Sequence, residues 1–87
     1  MSIIKITILK KDNCKFCDFA KEIINRLSTE YPLSVETEDL NSPNGIALAQ
    51  NAGFLFPPGI LINDDPFSYG RLSEKQLRRE IERMLAN

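Results

Sequence analysis

Ile4, Ile6 and Ile8 alternate with Lys5 and Thr7 near the start of the chain. This alternation predicts a strand over Ile3 to Leu9, with Ile3 and Leu9 adding apolar surface to its second face. So high a β-branched content suits a central, buried strand. Lys11, Asp12 and Asn13 form a short polar loop in which Asn13 is the expected helix cap. From about Phe16 the apolar positions Phe16, Ala20, Ile23, Ile24 and Leu27 recur at the three-and-four spacing of one helix face, and Pro32 helps end that helix. Leu33, Val35 and Thr37 then alternate with Ser34, Glu36 and Glu38, predicting a second strand with a wetter face.

Ser42-Pro43 reads as an N-cap followed by a proline in the first helical turn. Ile46, Ala49 and Ala52 give the short helix its face, and Gly53 its stop. After Pro57-Pro58 come a short apolar strand, Gly59 to Ile62, a turn at Asn63-Asp64-Asp65, and a further strand at Phe67 to Tyr69 that Pro66 places at an edge or a strand start. The last segment is the clearest helix. Ser73 caps it, Gln76 completes a capping-box pattern, Leu77, Ile81, Met84 and Leu85 form the apolar stripe, and Glu74 and Arg78 stand at the favoured i, i+4 spacing. The order strand, helix, strand, helix, strand, strand, helix predicts an α/β domain spanning residues 1–87. Its four-stranded mixed sheet is flanked by three helices on both faces, with parallel pairing wherever a helix separates two strands.

Composition narrows the function. Apolar content of 43% with 26% charged residues is ordinary for a soluble domain, and 87 residues allow one modest core. A formal charge of −1 gives no reason to expect nucleic-acid or anionic-membrane binding. The first apolar run stops at Lys10, too short for a membrane span, and no small-residue cleavage site follows it. The expectation is a mature cytoplasmic protein, monomeric, with no membrane partner.

Cys14-Lys15-Phe16-Cys17 contains the only two cysteines, and the chain has no histidine. In a reducing cytosol a C-x-x-C pair is more often catalytic or metal-binding than structural. Alone it is divided about evenly between redox catalysis and the rest, metal binding and coincidence; its place between a strand and a helix favours redox use. Cys14 falls at or just before a helix N-terminus, where unpaired amides and the helix dipole favour a negative sulfur. Cys17, one turn further on, can reach back to it. Cys14 is therefore the expected attacking thiol and Cys17 the resolving one.

With these residues the chain resembles the thioredoxin superfamily, and in size its glutaredoxin and glutaredoxin-like branch. Cys14-Lys15-Phe16-Cys17 stands where that family keeps its active site. Pro57-Pro58-Gly59-Ile60-Leu61-Ile62 stands where it has a cis-proline opening a strand, and Tyr69-Gly70-Arg71-Leu72-Ser73 with Gln76-Leu77 looks like its glycine turn and final helix. The resemblance implies a thioredoxin-like fold and thiol-disulfide exchange on protein disulfides or glutathione mixed disulfides. It implies no bound cofactor, with electrons supplied by a reductase, such as thioredoxin reductase, or by glutathione. Pro58 becomes the expected cis-proline, seated against the Cys14 sulfur.

Lys15, Phe16, Pro57 and Pro58 are the candidate substrate-binding residues. Lys15 reads equally as a solvated loop lysine, and Phe16 reads slightly better as the first core residue of the helix. Phe54 and Phe56 read as core before groove. Tyr69 and Arg71 could meet a ligand carboxylate, while Arg78, Arg79 and Arg83 read as a solvated face. Lys15-Phe16 replaces the family's usual intervening pairs, so their potentials do not carry over; about 30 mV corresponds to roughly 1.4 kcal/mol for this two-electron couple. Ile6 and Ile8 occupy the places where thioredoxins bury an acid, and Pro57 has no N–H for pairing with substrate. Gly70-Arg71-Leu72-Ser73-Glu74 keeps only part of the glutathione pattern.

Two rival functions remain. One is a copper or zinc module; small copper carriers also use C-x-x-C, but they end in a strand, and two sulfurs supply half a zinc site. The other is a partner-binding scaffold without catalysis.

Overall fold

The computed structural model describes residues 3–86. Among them the order is β1 (Ile4–Lys10), α1 (Lys15–Leu27), β2 (Leu33–Asp39), α2 (Pro43–Ala52), β3 (Gly59–Ile62), β4 (Asp65–Tyr69) and α3 (Glu74–Ala86). The four strands form one mixed sheet in the order β2-β1-β3-β4. The expected α/β architecture is therefore present. β1 is central and begins one residue later than expected; Ile3 lies outside it, exposed.

β1 and β2 pair in parallel, with Ile4 opposite Leu33 and Lys10 opposite Asp39. β3 corrects the expectation of parallel pairing across every helix: it runs antiparallel to β1, with Leu9 opposite Gly59. The physical reason lies in where the connection starts and stops. Lys10 is level with Asp39, and its neighbour Leu9 with Gly59, so β2 ends and β3 begins at the same end of the sheet. A helix of 10 residues is spent crossing β1 there rather than returning to the far end. β4 also starts earlier than expected, at Asp65, after a turn in which Asn63 and Asp64 hold positive φ. Pro66 is accommodated because β4 is an edge strand.

The main core lies between the sheet and α1 with α3. Ile4, Ile6, Ile8, Ile60 and Ile62 meet Ala20, Ile24, Leu27, Leu77 and Ile81 there, all buried. On the opposite face Leu9 is fully buried, and any Cβ on Gly59 would stand 2.4 Å from the Phe54 ring. Gly45 is the buried residue of α2, because a Cβ there would lie 1.9 Å from the Asp39 carbonyl oxygen. That close approach corrects the expected face of α2: Ile46 points outward, 44% exposed. Ser42 and Gly53 cap α2 as expected, the Ser42 hydroxyl accepting from the Gly45 N–H and Gly53 taking φ 73°. In α3 Ser73 Oγ accepts from the Gln76 N–H, while Leu85 leaves the stripe and is partly exposed.

Arg78 is not the solvated residue expected. It reaches across to the turn after α1, donating to both Glu30 oxygens at 2.7 and 3.1 Å and lying over the Tyr31 ring. It also pairs with Glu74 at 3.3 Å. The hydrogen bonds from Arg78 hold the Glu30 carboxyl below the usual carboxylate range, while Glu82 beside the Tyr31 hydroxyl raises the phenol above its ordinary value. A depressed carboxyl stabilises the fold above its unfolded value, and that contribution fades as pH falls through the folded one. Arg78→Gln is therefore expected to raise the Glu30 titration into the ordinary range, with a stability difference from wild type that shrinks on acidification. A carboxyl-carbon NMR titration reads this directly, and an unmoved Glu30 would refute the pairing.

Candidate active site

β1 delivers the chain to a short loop at the end of the sheet, and α1 starts immediately after it. Asn13 takes φ 56°, a left-handed conformation that asparagine tolerates better than most residues. The turn makes Cys14, not Asn13, the N-cap of α1, correcting the expectation from the loop sequence. Cys14 Sγ accepts a hydrogen bond from the Cys17 N–H at 3.1 Å, and the Cys14 carbonyl accepts from the Asp18 N–H. The sulfur thus occupies the place of a capping oxygen, at the positive end of the helix dipole.

Cys14 and Cys17 are joined in a disulfide, their Cα atoms 5.2 Å apart. The two differ sharply in environment. Cys14 is partly exposed, whereas Cys17 is only 2% exposed and sits in the buried face of α1. Cys14 can be approached from outside, whereas Cys17 is shielded from solvent.

The Pro57-Pro58 peptide bond is cis. Pro58 is fully buried, and its carbonyl accepts from the Gly70 N–H at 2.9 Å, where Gly70 takes φ 77°. Because Gly59 pairs with Leu9, Pro58 stands at the sheet end from which the Cys14 loop emerges. Pro57 offers no N–H, and its carbonyl accepts no hydrogen bond among the described residues.

Lys15 is exposed and in no ion pair among the described residues. Phe16 is 47% exposed, so the core reading fails for it; Cys17 takes the buried position one residue on. Phe56 likewise is 60% exposed, while Phe54 packs over Gly59. Arg71 lines a groove of about 660 Å³ with Phe16, Phe19, Ile23 and Leu72, which an ion pair between Arg26 and Glu74 borders. Phe19, 54% exposed, escaped notice in the sequence. The signal was present: Phe16, Phe19 and Ile23 form a second apolar stripe beside the buried one. Among the described residues no three Cys, Asp or Glu side chains are grouped to hold a metal ion, and no helix is long and apolar enough to cross a membrane.

A strand leading to a dithiol that caps a helix, with a cis-proline at the same sheet end, defines a thioredoxin-fold protein of redox type. The chain belongs to the glutaredoxin-like domain family (DUF836), whose sequence model matches residues 5–82. No curated protein sequence matches it. Solved structures share the fold. A mutant thioredoxin from Halobacterium salinarum NRC-1 is 19% identical, covering 92% of this chain and 73% of its own, with a TM-score of 0.72. A thioredoxin-like protein from Clostridium perfringens is 18% identical over 93% of this chain and 70% of its own, at 0.75. Glutaredoxin 1 from Francisella tularensis, complexed with cacodylate, is 16% identical over 97% and 99%, at 0.57.

Proposed function

We propose that this protein is a thiol-disulfide oxidoreductase in which Cys14 attacks and Cys17 resolves. The observation that carries the reading is the asymmetry of the pair: a partly exposed sulfur at a helix N-cap, hydrogen-bonded by the Cys17 N–H, beside a second sulfur that is almost wholly buried. In the reduced form the Cys14 thiolate attacks one sulfur of a substrate disulfide. A new S–S bond forms to Cys14, and the other substrate sulfur leaves with the electron pair and takes a proton. The Cys17 thiolate then attacks Cys14 Sγ, which closes the intramolecular disulfide and expels the second substrate thiol. The substrate gains two electrons and two protons; the protein dithiol is oxidised. An external reductant restores the dithiol, either a dithiol reductase or glutathione.

Helix-end stabilisation of the thiolate supports Cys14 as the nucleophile. Phe16, exposed in the first turn of α1, and the Pro57-Pro58 pair, at the same end of the sheet, are the residues to which this reading assigns substrate contact. The test is reduction of a protein disulfide in two parallel arms, one with thioredoxin reductase and one with glutathione and its reductase. Turnover in one arm is expected and identifies the donor; reduction no faster than donor alone in both arms refutes the assignment.

A further inference from the structure

Asn13 is the residue of the β1–α1 loop with a left-handed backbone, at φ 56°. Its side chain is exposed and makes no hydrogen bond among the described residues; the side-chain bond at this turn runs from the Cys17 N–H to Cys14 Sγ. What residue 13 contributes is therefore its backbone conformation.

That conformation decides which residue caps α1. An N-cap has extended backbone, and its side chain accepts from an N–H two or three residues on. Cys14 meets both conditions, with φ −117° and ψ 105° and its sulfur on the Cys17 N–H. Asn13 does not, although an amide oxygen is among the best caps. Were residue 13 extended, the helix could begin one residue earlier. The Asn13 oxygen would then accept from the Phe16 N–H, and the Cys14 sulfur would lose its place opposite the Cys17 N–H. Two acceptors compete for one helix end, and φ at residue 13 settles the competition.

Nearby charge does not draw the same distinction. Lys10 pairs with Asp12 at 3.9 Å, while Lys11, Lys15 and Asp18 flank the turn with both signs. The Pro57-Pro58-Gly59 segment at this end of the sheet carries no charged side chain.

We infer that Asn13 is a positioning residue for the exchange reaction: its left-handed backbone fixes the register that makes Cys14 Sγ the acceptor at the helix N-terminus, and so favours the Cys14 thiolate. The inference rests on the dithiol mechanism above and adds to it a residue that acts only through Cys14.

The test compares Asn13→Gly with Asn13→Val. Both delete the carboxamide and neither changes charge. Glycine enters the left-handed region freely, whereas a β-branched residue is an outlier there. Each variant and the parent, in reduced form with Cys17→Ser so that one thiol remains, is alkylated with iodoacetamide across pH, and the rate follows the Cys14 thiolate. The glycine variant is expected to titrate with the parent. The valine variant is expected to titrate about one pH unit higher, the scale of a charge at a helix end, and to react about tenfold more slowly below both transitions. If the valine variant does not fold, Asn13→Ala replaces it, with a shift in the same direction. A valine or alanine profile that overlays the parent would overturn the inference. So would a glycine variant that shifts as far as valine, because the carboxamide and not the backbone would then matter. Failure of the alanine variant to fold would also overturn it, since residue 13 would be holding the fold and not the sulfur.

A second measurement keeps the mechanism separate. The reduced protein with both cysteines is mixed with an aromatic bis(nitrobenzoate) disulfide; the protein dithiol becomes a disulfide and two coloured thiolates are released. Release no faster than from a Cys14→Ser control would refute the dithiol mechanism itself. Faster release with coincident titrations would remove only the role of Asn13.

Discussion

Cys14→Ser is expected to abolish disulfide exchange, with a loss of about a thousandfold or more, the scale on which deleting a covalent nucleophile acts. Nothing else in the chain can replace it. Cys17 is the only other thiol, and at 2% exposure its sulfur lies beneath the surface a substrate would approach. Cys17→Ser should behave differently. Attack at Cys14 still occurs, but no thiolate stands behind it to expel the product. Intact-mass analysis after incubation with a disulfide substrate should therefore find the Cys17→Ser protein carrying one substrate half, removable by dithiothreitol. The Cys14→Ser protein should carry none. The reverse pattern, adduct on Cys17 and activity without Cys14, would exchange the two roles and remove the argument from the N-cap.

Ile24→Ala is expected to be strongly destabilising. Ile24 is fully buried in α1, in the cluster that joins the sheet to α1 and α3. Truncating such a residue costs about 2–5 kcal/mol through lost transfer and the cavity left behind. Domains of this kind have only about 5–15 kcal/mol to lose. Urea unfolding should show a large fall in midpoint with little change in slope. Leu55→Ser, at 73% exposure, should stay within about 0.5 kcal/mol of wild type. A loss at Leu55 comparable to that at Ile24 would mean that this exposed side chain is part of the core after all.

The local elements were legible because they depend on near neighbours. Ser42-Pro43 and Gly53 bound α2 where their side-chain and φ preferences say they should, and Ser73 caps α3. Isoleucine alternation marked β1, and the dithiol between strand and helix marked the redox site. The misreadings arose where a distant group decided. Asn13 has the better capping side chain, but the turn that brings β1 into α1 places it at φ 56° and leaves the cap to Cys14. Ile46 looked like the inner face of α2, yet the Asp39 carbonyl admits only Gly45 there. Arg78 looked solvated because Glu30 lies 48 residues away in sequence.

The sequence by itself determined the order of elements, the caps of α2 and α3, the β1 core residues, and a dithiol at a helix start followed by a proline pair before a strand. Each follows from backbone preferences and periodicities that act over a few residues. Only the tertiary structure decided that β3 turns antiparallel beside β1 and so brings Pro58 to the sheet end occupied by Cys14. It alone buried Cys17 while leaving Cys14 open, and left Phe16, Leu55 and Phe56 facing water. Those outcomes depend on which surfaces the packed helices cover, and that is settled by contacts between residues far apart in the chain.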